Sequence, residues 1–461
     1  MLSIRDILRR LSTVLRPAHY TQDLKQICTR AEVDSVEASR IFTTPDGIDR
    51  ESHIIVHYLL IPCEGLSIGQ AAARTALITS LRTLVPLPYE PRAERLRQAG
   101  KVLMFQNGGQ AVIAFPLDIC SPNEGLTQLL LVISTGAEYI YTQQLWIGEI
   151  ELPKSFLERF QGPRFGIQGI RERFKIPSRP LIGVTVKPRH GVALKKIVDQ
   201  CRESLLGGAD YLVDDMLMVD PDGDLAFTKR VPLLAKTAMK ASSKTGESKW
   251  YVVNISASPK RAKEYARIAQ AEGVGALKVN AFTMGFPTVE EITNDPDIDL
   301  PVITTNMGVC LLTRPKLPAS TGMSEALVSK LSRIAGADGV HLGSVAAGCF
   351  AQESWHPAII ALQSDLQNIR PSFVVVEGDI TLANAWENIS VFGPDVMLET
   401  SSGILGYPGG ARKGADAFRM LVENIPCSLS SVEAHEKLME LARRDRLVEQ
   451  ALAYFGYSPK T

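Results

Sequence analysis

Polar residues stand at the ends of eight short apolar runs that recur from about residue 175 onward. They comprise cations, carboxylates, amides, hydroxyls and an imidazole, and include Lys187, Arg189, Asp215, Asn254, Asn280, His341, Glu377 and Ser401. A polar group in a buried strand costs several kcal/mol unless it is hydrogen-bonded. A ring of such groups therefore predicts a wet or liganded cavity, the usual form of a binding or catalytic site.

Lys187 is the first candidate for catalysis because it closes an otherwise apolar run. A lysine there can act as general acid or base when burial and the neighbouring Arg189 favour its neutral form. The alternative is a structural ion pair with Asp214 or Asp215. His341 is the second catalytic candidate because it also stands near the end of a run, and a hydrogen-bonded core histidine is the alternative.

The segment Ser401–Gly403 is the best candidate for an anion site. Its backbone N–H groups and hydroxyls can bind an anion, and its glycine permits a close approach. Lys187 and Arg189 could supply positive charge on the far side of the ligand. A turn that uses serine and glycine only for its geometry is the alternative.

The eight apolar runs alternate with stretches of helical period. The runs are 180–187, 210–215, 250–256, 276–282, 301–306, 339–344, 373–378 and 396–402. Eight such units predict a parallel (β/α)8 barrel, in which the loops after the strands bring the polar residues together. An open doubly wound sheet is the alternative, and the first run is not followed by the G-x-G-x-x-G of a nucleotide-binding sheet.

The first part of the chain has a different order of predicted strands and helices. Strands are predicted at 53–61, 101–106, 110–116 and 139–152, and helices at 67–84 and 125–135. This βαββαβ order is the split βαβ pattern of ferredoxin-like domains. The predicted organisation is a helical N-terminal extension over 1–45, an α+β ferredoxin-like domain over 46–155, the barrel over 156–428, and a C-terminal helix and tail over 429–461.

Composition limits the class of protein. Lys+Arg and Asp+Glu both count 50, and a net charge of zero argues against a nucleic-acid partner. No apolar run approaches the roughly 18 residues that span a bilayer, so we expect no membrane association. The seven cysteines include no C-x-x-C pair, which favours reduced thiols and a cytoplasmic location. The N-terminal MLSIRDILRRLSTVLRP fits an ordinary capping helix, with a transit peptide as the alternative.

Four segments resemble motifs of the RuBisCO large subunit. KPRHG at 187–191 resembles K-P-K-x-G, and GGADYLVDDM at 207–216 resembles G-G-x-D-[FY]-x-K-D-D-E. FQGPRFGIQGIRE at 160–172 resembles F-x-G-P-x-G-I, and SSGILGYPGG at 401–410 resembles G-G-G-x-x-G-H-P-x-G. The resemblance implies a ferredoxin-like domain on a (β/α)8 barrel, assembled as a homodimer.

The departures from these motifs concern the metal first. The lysine that becomes carbamylated in RuBisCO aligns with Val213, and the glutamate ligand aligns with Met216. Of three metal ligands only Asp215 remains, so the resemblance implies Mg²⁺ but the ligand set is incomplete. The histidine–arginine pair that holds one substrate phosphate aligns with Thr304 and Thr305.

Other positions keep the character of the family. Lys187 aligns with the lysine that shuttles protons on the enediolate, and His341 aligns with a histidine near a phosphate. The loop lysine that steers carbon dioxide aligns near Gly348, which has no side-chain charge. Further ligand contacts are expected, by alignment or by position at a strand end, from Arg189, Asn254, Asn280, Gly378, Ser401, Ser402, Gly403, Thr79 and Gln128.

The pattern is similar to that of RuBisCO-like proteins, also called form IV, and implies that the chain is not an authentic carboxylase. The first hypothesis is an isomerase, tautomerase or decarboxylase that acts through an enediolate on a phosphorylated or acidic sugar derivative. The second is a non-catalytic protein that binds a phosphorylated ligand or regulates another protein. The third is a metal-dependent enzyme that recruits Glu377 or Asp379 as substitute ligands.

Overall fold

The structure is a computed structural model that describes residues 40–120, 123–138, 142–305, 307–313, 321–345 and 355–455. These residues form two units, one built mainly from the chain before residue 154 and the other mainly from the chain after it. Most of the predicted N-terminal extension, including the stretch that resembles a capping helix or transit peptide, lies outside the described residues. The helix predicted there stays a prediction.

A five-stranded sheet forms the first unit. Its strands are β1 (His53–Pro62), β2 (Lys101–Phe105), β3 (Gln110–Pro116), β4 (Thr142–Glu151) and the short β10 (Gly322–Met323). Their order across the sheet is β10-β4-β1-β3-β2, and β1 pairs antiparallel with both β3 and β4. The four longer strands thus have the order of a split βαβ sheet, and the predicted ferredoxin-like fold is confirmed.

Three helices belong to the chain around this sheet: α1 (Ile68–Leu81), α2 (Arg92–Gln98) and α3 (Gly125–Ser134). A capping box begins α1, because the Ser67 hydroxyl accepts from the Gln70 N–H while the Gln70 side chain accepts from the Ser67 N–H. The helix ends earlier than predicted, since Arg82 takes a left-handed conformation with φ 59°. The short α2 was not predicted.

Eight parallel strands close into a barrel in the second unit. They are β5 (Leu181–Val186), β6 (Tyr211–Asp214), β7 (Trp250–Asn254), β8 (Ala276–Asn280), β9 (Val302–Thr305), β11 (Gly339–Gly343), β12 (Phe373–Glu377) and β13 (Val396–Thr400). Closure is complete because β11 pairs with β9 and β13 pairs with β5. The predicted (β/α)8 barrel is therefore confirmed, and the open sheet is wrong.

Helices cover the barrel and continue along the chain after its last strand. In chain order they are α4 (Lys154–Leu157), α5 (Gly166–Phe174), α6 (Leu194–Leu206), α7 (Phe227–Thr245), α8 (Pro259–Ala271), α9 (Ala281–Met284), α10 (Phe286–Thr293), α11 (Cys310–Thr313), α12 (Glu325–Ile334), α13 (His356–Gln363), α14 (Leu382–Phe392), α15 (Ser402–Leu405), α16 (Ala411–Asn424), α17 (Ser431–Arg444) and α18 (Arg446–Tyr454). Within the described ranges, none is long and apolar enough to cross a bilayer.

Helix α5 closes the barrel at the amino ends of its strands. Phe174 stacks on Trp250 at 3.9 Å between ring centroids, and both belong to the apolar cluster that fills this end. Asp338 fixes the start of the helix, because its Oδ1 accepts from the Phe165 and Gly166 N–H groups at 2.7 Å. Burial raises the pKa of Asp338 to about 6. With this end sealed, the carboxyl ends of the strands remain for chemistry.

Candidate active site

Two cations flank one carboxylate at the carboxyl ends of β5 and β6. Lys187 Nζ lies 3.6 Å from Asp215 Oδ2, and Arg189 Nε lies 3.7 Å from Asp215 Oδ1. Lys187 and Arg189 are 45% and 42% exposed, whereas Asp215 is 13% exposed. The ion pair considered as the alternative role of Lys187 is therefore present. Both distances exceed a hydrogen bond, so each cation keeps donors for a ligand.

The neighbouring Asp214 serves the fold and not the site. Its Oδ2 accepts from Arg230 Nη2 at 2.9 Å, and its Oδ1 accepts from the Tyr251 hydroxyl at 2.7 Å. Arg230 also donates to the carbonyl oxygens of Met218 and Val219 in the loop after β6. Asp214 and Arg230 are both fully buried. Because successive side chains of a strand alternate in direction, Asp214 faces the helix layer while Val213 and Asp215 face the barrel.

A second charged cluster lies deeper inside the barrel. Glu399 Oε2 accepts from Lys278 Nζ at 3.0 Å and is 2.9 Å from His341 Nε2. Glu377 Oε2 lies 3.6 Å from His341 Nδ1 and 3.8 Å from Lys278 Nζ. The Tyr211 hydroxyl donates to Glu399 Oε1 at 3.4 Å. These five side chains form the inner cluster.

Charge holds the inner cluster together. Burial alone would raise the pKa of the Glu399 carboxyl, but the Lys278 ammonium and the His341 ring outweigh burial and hold that pKa well below its usual value. Burial alone would lower the pKa of Lys278, but Glu399 and Glu377 raise it above its usual value. Lys278 and Glu399 are therefore both ionised at neutral pH, and each provides the counter-charge that the other needs.

The two amides predicted to bind substrate are engaged in holding loops. Asn254 Nδ2 donates to the carbonyl oxygens of Asp215 and Met216, at 3.2 and 2.8 Å. Asn280 Nδ2 donates to the Met307 carbonyl oxygen at 3.0 Å, and its Oδ1 caps α9. Contact with a ligand would require these bonds to be exchanged. The geometry thus gives Asn254 and Asn280 a positioning role for the loops after β6 and β9.

The loops after β12 and β13 pack against each other. Gly378 has φ 122°, a conformation that side chains other than glycine rarely adopt. Gly403 approaches the backbone of Ile380 so closely that a Cβ would overlap its carbonyl oxygen. Ser401 is partly exposed and Ser402 is exposed. This arrangement is compatible with the predicted anion site, and the packing of Gly403 also agrees with the structural alternative.

Two predicted contacts belong to the first unit. Thr79 is 5% exposed on α1, and Gln128 is half-buried on α3. Both were predicted to reach the barrel of a partner subunit, and that role stays a prediction. The position aligned with the loop lysine, Gly348, lies outside the described residues.

The position that the resemblance assigns to a metal has side chains that do not fit a divalent cation. Val213 is fully buried and has no oxygen, and Met216 offers a thioether that is 3.4 Å from the Thr305 hydroxyl. Asp215 is the one carboxylate there, and Lys187 and Arg189 already neutralise it. Mg²⁺ prefers about six oxygen ligands. These side chains are a poor donor set for a hard cation.

A different metal-type grouping exists in the inner cluster. One donor atom each from His341, Glu377 and Glu399 lies within 4.8 Å of the others. Lys278 Nζ stands among them, 3.0 Å from Glu399 Oε2. A divalent ion there would meet a buried ammonium group, and the like charges would repel. The Lys278 ammonium therefore supplies the positive charge that a metal would bring.

Lys278 and Glu399 were missed by the sequence analysis. Neither stands at the end of its strand, because Lys278 lies two residues before the end of β8 and Glu399 lies one before the end of β13. The available signal was a lysine and a glutamate of opposite charge, each inside an apolar strand, where an unpaired charge would be very costly.

The fold is that of a (β/α)8-barrel protein, and its ring of polar residues makes the carboxyl ends of the strands the candidate site. The sequence model described as ribulose bisphosphate carboxylase large chain, catalytic domain, matches residues 166–455. The chain therefore belongs to the RuBisCO large-chain family, as its motifs predicted.

Several archaeal proteins are similar to the chain along most of its length. A ribulose bisphosphate carboxylase of Archaeoglobus fulgidus is 26% identical over 411 residues, which cover 84% of this chain and 92% of the relative. A ribulose bisphosphate carboxylase-like protein of the same organism is 26% identical over 417 residues, covering 88% and 93%. Carboxylases and a RuBisCO-like protein thus show about the same similarity to the chain.

Solved structures show the same fold. An octameric ribulose-1,5-bisphosphate carboxylase/oxygenase of Pyrococcus horikoshii superposes with a TM-score of 0.80 at 25% identity, covering 91% of this chain and 98% of the other. A dimeric archaeal RuBisCO of Hyperthermus butylicus gives a TM-score of 0.78 at 25% identity, covering 92% and 100%. The likeness includes both the barrel and the N-terminal sheet.

Proposed function

We propose that the chain is a RuBisCO-like enzyme that does not carboxylate ribulose bisphosphate. It would act through an enediolate on a phosphorylated or acidic sugar derivative, as an isomerase, tautomerase or decarboxylase. The observation that carries the proposal is that Lys187 and Arg189 flank Asp215 at 3.6 and 3.7 Å. Two cations thus stand at the position inherited from a metal site, beside a valine that cannot be carbamylated.

The chemistry needs a proton carrier and a stabiliser of negative charge. A proton leaves the carbon beside a carbonyl, its bonding electrons form the C=C bond of the enediolate, and the carbonyl oxygen takes the charge. The Lys187 ammonium and the Arg189 guanidinium can stabilise that oxygen without a metal. Lys187 or His341 can carry the proton. A proton then moves from one enediolate oxygen to the other, and return of the carried proton to the neighbouring carbon completes an isomerisation.

The ligand in this proposal is an anion held at the mouth of the barrel. Lys187 and Arg189 provide charge, and Ser401–Gly403 provides hydroxyls and backbone N–H groups. Gly378, with its φ of 122°, allows the backbone after β12 to come close to the same group. Asn254 and Asn280 support the loops that carry the neighbouring residues.

The second candidate is a non-catalytic protein that binds a phosphorylated ligand or has a regulatory role. The ion pair between Lys187 and Asp215 favours it, because a lysine held by a carboxylate is less available for proton transfer. Both candidates share the anion site, so turnover and not binding separates them. A metal-dependent enzyme with Glu377 or Asp379 as ligands is the third, and the Lys278 ammonium beside Glu377 counts against it.

We also propose a cytoplasmic homodimer in which Thr79, Ser80 and Gln128 of one subunit contribute to the site of the other. The dimeric relative supports this assembly. Light scattering at micromolar concentration should give twice the chain mass, and a monomer would contradict the proposal.

Proton exchange tests the catalytic proposal directly. The protein is incubated in D₂O with ribulose 5-phosphate and a panel of other sugar phosphates, and loss of carbon-bound protons is followed by NMR. We expect exchange or isomerisation of at least one compound, and no label in products when ribulose 1,5-bisphosphate and labelled carbon dioxide are supplied. Binding without exchange across the panel would favour the non-catalytic candidate, and incorporation of label would overturn the proposal.

A further inference from the structure

One oxygen of Glu399 is shared between a lysine and a histidine. His341 Nε2 lies 2.9 Å from Glu399 Oε2, and Lys278 Nζ donates to the same oxygen at 3.0 Å. The Tyr211 hydroxyl donates to the other oxygen of the carboxylate at 3.4 Å. Glu399 is fully buried, so these side chains set the hydrogen-bonding pattern around it.

The hydrogen between His341 and Glu399 can be assigned to the histidine. Although burial alone would raise the pKa of the Glu399 carboxyl, the Lys278 ammonium and the His341 ring hold that pKa well below its usual value. Glu399 is therefore ionised at neutral pH, and a carboxylate can only accept a hydrogen bond. Nε2 of His341 must then carry the hydrogen, which leaves the lone pair of the neutral ring on Nδ1.

The two nitrogens of the His341 ring have different surroundings. Nε2 faces Glu399, whose side chain is fully buried, whereas Nδ1 lies 3.6 Å from Glu377 Oε2. Glu377 is the last residue of β12, and its side chain is 18% exposed. Nδ1 is thus on the more accessible side of the ring, and Glu377 attracts the positive charge that the ring gains when Nδ1 takes a proton.

Lys187, the other residue that can carry the proton, is less suited to do so. Its Nζ lies 3.6 Å from Asp215 Oδ2, and a nearby carboxylate favours the ammonium form. An ammonium group cannot accept a proton, whereas a neutral imidazole with its lone pair on Nδ1 can.

We propose that Glu399, held by Lys278, is a positioning residue that fixes the ring hydrogen of His341 on Nε2 and makes Nδ1 the atom that carries the proton. Nδ1 takes the proton from the carbon beside the carbonyl, and the C–H bonding electrons form the C=C bond of the enediolate. After a proton has moved between the two enediolate oxygens, Nδ1 returns its proton to the neighbouring carbon. Lys187 remains an ammonium group and stabilises the charged oxygen. This inference rests on the proposed function and assigns the atom that carries its proton.

NMR of the full-length protein with ¹⁵N-labelled histidine reports which ring nitrogens carry hydrogen. The signals of His341 are identified by their loss in His341→Gln. At mildly alkaline pH we expect a hydrogen on Nε2 in the wild-type protein. Tyr211→Phe is the matched control and should give the same result, because it removes a donor to the other oxygen of Glu399. A bare Nε2 in the wild-type protein would overturn the inference, and this result does not depend on whether variants of Glu399 fold.

Glu399→Gln tests what the ring hydrogen does in the reaction. The glutamine amide can donate to Nε2, which moves the ring hydrogen to Nδ1 and removes the lone pair that accepts the proton. For a sugar phosphate that exchanges carbon-bound protons in D₂O, the rate of exchange should fall roughly a hundredfold. Its affinity, measured by calorimetry, should be nearly unchanged. Glu436→Gln, which removes an exposed carboxylate on α17, is the control for the rate.

The outcomes separate this inference from the proposed function. An unchanged rate of exchange in Glu399→Gln would overturn the inference and leave the proposed function standing, with Lys187 as the proton carrier. Absence of exchange with every sugar phosphate in the wild-type protein would overturn the proposed catalytic function itself.

Discussion

Lys278 Nζ and Glu399 Oε2 lie 3.0 Å apart in the interior of the barrel, and both side chains are fully buried. The two residues stand on β8 and β13, which are diametrically opposite in the closed order of the eight strands. The ion pair thus crosses the barrel axis and connects two strands that share no backbone hydrogen bonds. Because the ammonium group belongs to a side chain of the protein, this positive charge cannot dissociate from the site as a bound metal ion can.

This pair can be tested by a double-mutant cycle. Lys278→Met and Glu399→Gln should each reduce the free energy of unfolding by about 3–5 kcal/mol, because each deprives a buried charge of its counter-ion at 3.0 Å. The double variant should lose clearly less than the sum of the two, since it contains neither charge. Denaturant titration gives the four values, and strict additivity would show that the two side chains do not interact.

An exposed ion pair provides the control for this cycle. Lys437 Nζ lies 2.8 Å from Glu440 Oε2 on α17, a distance similar to that of the buried pair. Lys437→Met and Glu440→Gln should show no measurable coupling, because solvent screens both charges.

Acid should weaken the same buried pair. The pKa of Glu399 is lower in the folded protein than its usual 4.5, mainly because Lys278 and His341 outweigh the effect of burial. The ionised Glu399 therefore contributes its full stabilisation above pH 4.5, its usual pKa, and this stabilisation is lost as the pH falls toward the lower pKa of the folded protein. Between about pH 5 and pH 3 the wild-type protein should approach Glu399→Gln in stability, by up to about 1.4 kcal/mol per pH unit. A constant difference between the two would contradict the assigned direction.

Lys187 should determine the affinity for the anion. Lys187→Ala is expected to weaken binding of a sugar monophosphate by about 1.5–3 kcal/mol, the value of a hydrogen bond to a charged group. Lys195→Ala removes an exposed lysine on α6 and is the matched control. The affinity of each variant is measured by calorimetry. Equal affinities would show that the anion binds elsewhere.

Substitution of Asp215 tests whether the site needs a metal ion. If no metal is involved, Asp215→Asn should change ligand affinity by less than about tenfold, or 1.4 kcal/mol, and EDTA should have no effect. Removing the carboxylate also releases Lys187 and Arg189 for the ligand, so any change should favour tighter binding. Loss of ligand binding or activity in this variant and in EDTA would demonstrate a metal at this position. If a metal were instead bound by Glu377 or Asp379, then Glu377→Gln or Asp379→Asn would cause the same loss of function as EDTA.

The sequence predicted the barrel well because most residues of its strands are apolar and the runs are separated by stretches of helical period. The run predicted at 250–256 is the strand Trp250–Asn254, and that predicted at 373–378 is Phe373–Glu377. The C-terminal region was predicted as one helix but contains two, because the Asp445 carboxylate caps a new helix by accepting from the Leu447 and Val448 N–H groups.

The inner cluster was harder to predict for a topological reason. Lys278 and Glu399 are 121 residues apart, and they meet only when the barrel closes. The end of an apolar run identifies Lys187 from local pattern alone. His341 lies in the middle of β11, as Lys278 does in β8, and the partner of an ionisable group inside a strand follows only from the order of the strands. Glu377 and Glu399 lie beside the ring of His341, so this histidine is surrounded by carboxylates.

The ring of Tyr211 occupies the space that a side chain at Gly183 would need, and this contact has an evolutionary consequence. Any substitution at Gly183 would displace the ring and draw its hydroxyl away from Glu399. The two positions are therefore not free to vary independently. Among related sequences, a larger residue at position 183 should be found only where the aromatic residue at position 211 has been lost. Such a paired change would mark the sequences in which the inner cluster no longer exists.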